Sequence, residues 1–238
     1  MDRKEIASLI DHTLLAPNAG IDQIVMLCQE AERYGFASVC VNPCYVSAAA
    51  TQLVNSSVKI CTVIGFPFGS ITTDDKVVEA VNAINNGADE IDMVINIGNA
   101  KDGLFSKVGA EIADVVKASK EAGKNLGKNI IVKVIIETCL LTDDEIVNCS
   151  LCAKKANADF VKTSTGFATP KGIDGNLLPN GASEYQIKLI RKTVGPEMGI
   201  KASGGIRSAR MAKSMIEAGA TRIGTSSGVI IVENWTED

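Results

Sequence analysis

The chain has 238 residues, of which 46% are hydrophobic and 22% are charged, and its formal net charge is -4. This composition suits a globular protein with a large core, and the lack of a basic excess argues against nucleic acid as the main partner. The first twelve residues contain no apolar signal region, and no apolar stretch is long enough to span a bilayer. We therefore expect a cytoplasmic protein that is not embedded in a membrane, with its seven cysteines reduced.

Short apolar segments alternate with amphipathic segments along the chain. The predicted strands lie at residues 9–14, 38–41, 59–65, 90–96, 130–137, 159–165, 200–204 and 222–226. The predicted helices lie at residues 21–34, 73–86, 107–122, 142–156, 184–193 and 209–218, and a further short helix is expected at the N-terminus. Thr142 begins the pattern of a capping box, and Thr72 or Thr73 is expected to begin another helix.

Three segments share one pattern, in which a helix end and a small-residue turn precede an apolar strand. They are NNGADEIDMV (85–94), KANADFVKTS (155–164) and EAGATRIGTS (217–226). Such alternation favours parallel strands joined by helices. Eight strands, no break in composition and no glycine-rich turn after the first strand together predict an α/β fold. We expect a single eight-stranded parallel β/α (TIM) barrel domain over residues 1–238.

Charged residues recur at strand positions that should face the barrel axis. Side chains of a strand alternate between the axis and the surrounding helices, so an inward Asp92 leaves its apolar neighbours facing outward. The same alternation turns His12 toward the helices. The residues predicted to converge on the axis are Asp11, Asp92, Lys133, Lys162 and Lys201.

Two interpretations of this cluster are open. The charges could be structural pairs, which suits Lys133 beside an acid. Alternatively, crowding and burial lower the pKa of a lysine from about 10.4, and a neutral lysine can attack a carbonyl group. Lys162 and Lys201 lie on neighbouring predicted strands, so one could be the nucleophile and the other its partner. Asp92 could then exchange protons with water.

Two small-residue segments follow the last two predicted strands. KASGGIR (201–207) ends a strand in two glycines, and GTSSG (224–228) ends the next in serines and a glycine. Phosphate sites of barrels commonly lie after these two strands, where backbone N–H groups approach the anion. The pair of segments therefore predicts a phosphorylated small-molecule substrate.

Several of these motifs, in this order and spacing, resemble the deoxyribose-phosphate aldolase family over nearly the whole chain. They are IDHTLL (10–15), EIDMVINIG (90–98), KVIIET (133–138), FVKTSTGF (160–167), KASGGIR and GTSSG. The resemblance implies a cofactor-free class I aldolase on a β/α barrel. Such an enzyme reversibly cleaves 2-deoxy-D-ribose 5-phosphate to D-glyceraldehyde 3-phosphate and acetaldehyde in deoxyribonucleotide catabolism. It also implies a homo-oligomer, either a dimer or a tetramer.

The resemblance also implies roles for individual residues. Lys162 corresponds to the Schiff-base lysine, Lys201 to the lysine beside it, and Asp92 to the proton donor and acceptor. Some members place a lysine where this chain has Phe167, so backbone groups should carry more of the phosphate binding. The residues expected to bind phosphate or line the pocket are Gly204, Gly205, Ser226, Ser227, Asp11, Thr13, Asn42 and Thr165.

Three alternative functions are a zinc site, a pyridoxal-phosphate enzyme and a non-catalytic phosphate-binding protein, and the sequence argues against each. Cys149 and Cys152 form a CSLC spacing inside a predicted helix, but no second pair completes a zinc site, and His12 is the chain's one histidine. No metal is therefore expected. A pyridoxal-phosphate enzyme would need a partner for the pyridine ring, which no motif supplies. A non-catalytic phosphate-binding protein would not need two adjacent buried lysines.

Overall fold

The computed structural model describes residues 1–237, and its frame is a cylinder of parallel strands. Within those residues eight strands pair in sequence order, and the last pairs with the first. They are β1 (Ile10–Leu14), β2 (Ser38–Val41), β3 (Lys59–Ile64), β4 (Glu90–Val94), β5 (Ile131–Ile135), β6 (Phe160–Lys162), β7 (Gly199–Ser203) and β8 (Arg222–Thr225). The predicted TIM barrel is thus confirmed, while residue 238 of the predicted domain lies outside the described residues.

Helices cover the outer surface of the barrel. They are α1 (Arg3–Ala7), α2 (Ile21–Tyr34), α3 (Val46–Gln52), α4 (Thr73–Asn85), α5 (Ile97–Lys101), α6 (Phe105–Asn125), α7 (Asp143–Lys155), α8 (Glu184–Val194), α9 (Ala209–Glu217) and α10 (Gly228–Glu233). The expected N-terminal helix is α1. The predictions did not include α3, α5 or α10, because helices of five to seven residues are too short for a helical period to emerge.

Local capping explains where two of the long helices begin. The Thr142 hydroxyl accepts the Glu145 N–H, and the Glu145 carboxylate accepts the Thr142 N–H, so the predicted capping box precedes α7. The Thr72 hydroxyl accepts the Asp75 N–H in front of α4, which decides between the two candidate threonines. Each cap satisfies N–H groups that the first helical turn leaves unpaired.

The repeated segments make the same kind of hydrogen bond at the lower end of the barrel, where the strands begin. The residue just before a strand accepts an N–H of the preceding strand through its side chain. Asp89 binds the Ile60 N–H, and Asp159 binds the Val132 N–H. The Thr221 hydroxyl binds the Ile200 N–H in the same way. The repeat therefore links each new strand to the strand before it.

The apolar core lies between the strands and the helices, and the barrel interior is largely polar. On β4, Ile91 and Met93 belong to the large apolar cluster, whereas Asp92 is buried on the opposite face. A small interior cluster of Leu15, Cys40, Cys61 and Val63 accompanies the charged residues. The alternation predicted from the sequence is confirmed, and buried charges of this kind need ion-pair partners.

Candidate active site

Strand register brings the predicted axis residues into contact. Asp92 of β4 is the register partner of Lys133 on β5, and Lys162 of β6 is the partner of Lys201 on β7. Asp11 joins them from β1, which pairs with β8 and so closes the ring. All five side chains are buried, with Lys162 exposed by 3% and the others by 0%.

Asp92 lies at the centre of the cluster. Its Oδ2 is 2.7 Å from the Nζ atoms of both Lys162 and Lys201, and its Oδ1 is 2.9 Å from Lys133 Nζ. Burial by itself raises the pKa of Asp92, but the ammonium groups around it outweigh burial and hold that pKa well below the ordinary value. Asp92 is therefore a carboxylate that accepts hydrogen bonds from amines on three strands.

The expected decrease in lysine pKa was wrong for Lys201 and Lys133. Burial does lower the pKa of Lys201, but Asp11 at 2.5 Å and Asp92 reverse that effect and raise it above the ordinary value. The pKa of Lys133 is likewise raised well above its ordinary value, because Asp92 and other acidic neighbours outweigh burial. Both lysines are thus held as cations by carboxylates in the barrel interior: Lys133 by the neighbouring strand β4, and Lys201 by Asp11 and Asp92 across the barrel.

Two charged residues of this network were not predicted. Glu90, one pleat below Asp92 on β4, lies 2.5 Å from Lys133 Nζ. Arg222 at the start of β8 contacts Asp11 at 2.6 Å and Glu90 at 3.2 Å. Strand parity alone could have placed both inward. Lys133 belongs to an ion-pair network, and within residues 1–237 this network joins four basic groups to three carboxylates.

Lys162 differs from the other two lysines in its surroundings. Within residues 1–237, Asp92 is the one carboxylate in ion-pair contact with Lys162, and Lys201 shares the same oxygen. Lys162 also forms part of the floor of a cavity of about 440 Å³ at the carboxyl ends of the strands. Of the three amines, Lys162 is therefore the one that a bound molecule can reach and the one with the fewest acidic neighbours.

The cavity above Lys162 is built from the segments that follow β1, β6, β7 and β8. Its walls combine apolar side chains with small residues and one guanidinium group. They are formed by Thr13, Leu14, Leu15, Ala16, Pro17, Thr165, Phe167, Ser203, Gly204, Gly205, Ile206, Arg207, Gly224, Thr225 and Ser226. Arg207 was not among the predicted residues, and its exposed side chain places a cation at the end of the cavity where phosphate was expected.

The glycine segment after β7 adopts a backbone that favours glycine. Gly204 and Gly205 have φ values of 88° and 77°, and a Cβ on Gly204 would lie 2.8 Å from the Gly181 Cα. Ser226 lines the cavity beside them. Ser227 lies outside the lining, and its backbone N–H donates to the Thr225 hydroxyl at 2.9 Å.

The remaining predicted pocket residues are placed differently from one another. Thr13 lines the cavity, whereas Asp11 lies outside the lining and is paired with Lys201 in the barrel interior. Asn42 is half-buried at the end of β2 and lies outside the lining, with its carbonyl accepting the Tyr45 N–H. Thr165 lines the cavity, but its hydroxyl donates to Glu137 and accepts the Phe167 N–H at 3.0 Å.

The candidate metal ligands have other surroundings. Cys149 is packed in the apolar core of α7, where burial raises the pKa of its thiol to about 12 and so opposes the thiolate that zinc requires. His12 faces outward as predicted, with its Nε2 2.7 Å from Glu30. Cys61 lies 3.2 Å from Asp92 Oδ1, but Lys133 Nζ contacts both atoms and occupies the position of a cation.

Over residues 1–237, none of the helices combines the length and the apolar character needed to cross a bilayer.

Known proteins are similar to this chain over nearly its whole length. A profile of the DeoC/LacD family aldolases matches residues 5–234. The deoxyribose-phosphate aldolase of Caldanaerobacter subterraneus is 54% identical over 97% of this chain and 93% of that protein. That of Clostridium perfringens is 51% identical over 100% of this chain and 99% of that protein.

A solved structure extends the match to three dimensions. The deoxyribose phosphate aldolase of Aeropyrum pernix, a tetramer, is 35% identical and superimposes with a TM-score of 0.85, covering 98% of this chain and 91% of that one. The family profile matches this chain over residues 5–234, and the Caldanaerobacter subterraneus relative is more than half identical to it over nearly the full length. This chain therefore belongs to the DeoC/LacD family of aldolases.

Proposed function

We propose that this protein is a class I aldolase that reversibly cleaves 2-deoxy-D-ribose 5-phosphate to D-glyceraldehyde 3-phosphate and acetaldehyde. The observation that carries the proposal is a reachable amine, Lys162, whose Nζ shares Asp92 Oδ2 with the Nζ of Lys201 at 2.7 Å. The names of the full-length relatives support the substrate. The proposed setting is the carbohydrate and deoxyribonucleotide catabolism of the cytosol.

The first step joins the sugar to the enzyme. Lys162, once it has given up its proton, attacks the aldehyde carbon of the open-chain sugar and forms a carbinolamine. Lys201 is held as a cation beside it and can protonate the departing hydroxyl, so that water leaves and a cationic iminium remains. The iminium withdraws electrons from the adjacent carbon, which is why no cofactor is needed in the proposed mechanism.

The second step breaks the carbon–carbon bond. Removal of the proton from the C3 hydroxyl lets the C2–C3 electron pair move into the iminium, which releases D-glyceraldehyde 3-phosphate and leaves an enamine. Protonation of the enamine at C2 and attack by water then release acetaldehyde and free Lys162. Asp92, which contacts both amines, is assigned the transfer of these protons together with an active-site water.

The phosphate of the sugar is assigned to the end of the cavity away from Lys162. Gly204, Gly205 and Ser226 line it there, and the exposed guanidinium of Arg207 adds positive charge. A role for Ser227 requires its N–H to leave the Thr225 hydroxyl, and this role stays a prediction together with that of Asn42. We also expect a homo-oligomer, since the Aeropyrum pernix relative is a tetramer.

Borohydride trapping tests the proposal. Reduction in the presence of 2-deoxyribose 5-phosphate should convert the iminium into a stable secondary amine, and peptide mapping should find the adduct on Lys162. Samples without sugar and the Lys162→Leu variant are the controls and should remain unmodified. An adduct on another lysine, or none under turnover conditions, contradicts the assignment.

A further inference from the structure

Glu137 has an unusual backbone for a buried acidic residue. It lies two residues after the end of β5, is 1% exposed and has φ 57° and ψ 64°, which is the left-handed region that non-glycine residues seldom occupy. Such a conformation persists only where surrounding contacts fix it.

The Glu137 carboxylate holds the segment that follows Lys162. Its two oxygens lie 3.2 and 3.3 Å from the Thr165 backbone nitrogen, and Oε2 also accepts a hydrogen bond from the Thr165 hydroxyl. The Thr165 hydroxyl in turn accepts the Phe167 N–H. A continuous hydrogen-bonded chain thus runs from Glu137 through Thr165 to Phe167, and it engages the hydroxyl that we had expected to bind substrate.

The segment held in this way touches two parts of the cavity. Phe167 lines the active-site cavity and also a second cavity of about 360 Å³, so it separates the two. Its ring packs edge-to-face on Phe66, with ring centres 5.2 Å apart. Gly166 lies near Gly204, since a Cβ added to Gly166 would be in van der Waals contact with the Gly204 Cα at 3.8 Å.

The backbone of Lys162 is held by strand pairing, and the Glu137 side chain acts on the amine through longer-range electrostatics. The strand that carries Lys162 pairs with β5 and β7, and the Thr163 N–H donates to the Lys201 carbonyl at 3.1 Å. Loss of the Glu137 contacts should therefore displace Phe167 and the neighbouring glycine segment before it disturbs the amine. This displacement should alter the end of the cavity that we assign to the phosphate.

We propose that Glu137 is a positioning residue which, through Thr165, fixes Phe167 and the position of Gly166 near Gly204 and so sets the preference for a phosphorylated sugar. This inference rests on the proposed function of the same site. Glu137 itself touches no reacting atom in it.

The test compares two sugars in Glu137→Gln, in which the side chain keeps its size but loses its charge and one acceptor. We expect kcat/KM for 2-deoxyribose 5-phosphate to fall about tenfold, mostly through KM, as for loss of a hydrogen bond to a charged group. kcat/KM for unphosphorylated 2-deoxyribose should change by no more than about twofold. The control is Glu145→Gln, which removes a carboxylate that accepts the Thr142 N–H outside the barrel. It should leave unchanged the ratio of kcat/KM for the phosphorylated sugar to kcat/KM for the unphosphorylated sugar.

Thr165→Val and the double variant distinguish positioning from direct contact. If Glu137 acts through Thr165, the double variant should lose no more preference than either single variant. Additive losses, equal losses on both sugars, or an unchanged ratio in Glu137→Gln would overturn the inference. If Glu137→Gln fails to fold, as judged by thermal melting, Thr165→Val alone must show the selective loss.

Failure of this inference is distinguishable from failure of the proposed function. Borohydride should still trap 2-deoxyribose on Lys162 in Glu137→Gln. Absence of trapping in the wild-type protein would remove the proposed function itself, whereas intact trapping with unchanged sugar preference removes the role of Glu137 alone.

Discussion

At the scale of single residues, two buried lysines of the same barrel differ in the number of carboxylates that they contact. Lys133 contacts Glu90 and Asp92 at less than 3 Å, whereas Lys162 shares one oxygen of Asp92 with Lys201. Removing a charge costs stability mainly through the partners that it leaves unpaired in the interior. The two lysines should therefore respond differently to the same kind of substitution.

Lys162→Leu should abolish cleavage and leave the fold nearly as stable, because the remaining interior has equal numbers of basic and acidic groups. Lys133→Met should instead lower the free energy of unfolding by about 3–5 kcal/mol, since Glu90 and Asp92 lose a cation. Urea unfolding of both variants, with a cleavage assay on each, measures the contrast. A stable Lys133→Met protein would show that Lys133 is not a structural cation.

Asp92→Asn should lower kcat much more than it raises KM. The amide keeps the size of the carboxylate but cannot take up a proton, and proton transfer belongs to the chemical steps. Steady-state kinetics with 2-deoxyribose 5-phosphate, compared with the Glu145→Gln control, give the two constants. A change confined to KM would assign Asp92 to substrate binding instead.

At the scale of secondary-structure elements, the two ends of the strands have different functions. The residues just before a strand, such as Asp89 and Asp159, bind N–H groups of the preceding strand at the lower end. The segments after the strands form the cavity at the upper end. Substitutions in the upper segments can therefore change substrate preference without removing the contacts that join the strands.

Ser226→Asp places a carboxylate in the segment after β8, where we assign the phosphate. Like-charge repulsion should sharply reduce cleavage of 2-deoxyribose 5-phosphate and largely spare slow turnover of unphosphorylated 2-deoxyribose, because Lys162 and Lys201 remain. Measuring kcat/KM for both sugars in this variant and the wild type decides the point. Equal losses would mean that Ser226 supports the catalytic centre rather than the phosphate.

At the scale of the whole molecule, the barrel interior links stability to pH. The pKa of Asp92 is held well below its ordinary value of 3.8 by the surrounding ammonium groups, despite its burial. A group whose pKa is lower in the folded state contributes stability above its unfolded pKa. That contribution is lost as the pH falls through the folded value.

The melting temperature should therefore fall as the pH decreases below about 4, the region of the unfolded pKa of Asp92. In Asp92→Asn this decrease should be smaller, since one of the responsible carboxylates is absent. Thermal melting from pH 7 to pH 3 in both proteins measures the difference. Parallel curves would show that acid unfolding depends on other groups.

Much of this architecture could be predicted from the sequence. Periodicity gave the strands and the long helices, and alternation within strands placed Asp92, Lys133 and Lys162 on one axis. What alternation does not give is depth along the barrel, which depends on the stagger of neighbouring strands. Glu90 and Arg222 have the inward parity and were overlooked, but their contacts with Lys133 and Asp11 depend on that stagger. The direction of the pKa shift was wrong for another reason: burial is outweighed at Lys201 by Asp11 and Asp92, which were both predicted to face the axis, and at Lys133 by Asp92 together with Glu90.

Contacts made by irregular backbone were also beyond sequence reasoning. The left-handed conformation of Glu137 and its bonds to Thr165 depend on where two loops from different strands meet. The same holds for the Ser227 N–H, which is taken up by Thr225. Motif resemblance indicated that these segments matter, but not which of their polar groups are already engaged.

The ion pair of Lys162 with Asp92 has a consequence for the charge of the site during turnover. An ammonium group and an iminium carry the same unit charge, so in the proposed cycle the intermediate replaces one cation by another beside a fixed counter-ion. The interior then needs no movement of charge across the protein to accommodate the intermediate, and its dipoles are oriented before the sugar arrives. In the proposed cycle, the counter-ion that the iminium requires is already in place in the empty enzyme.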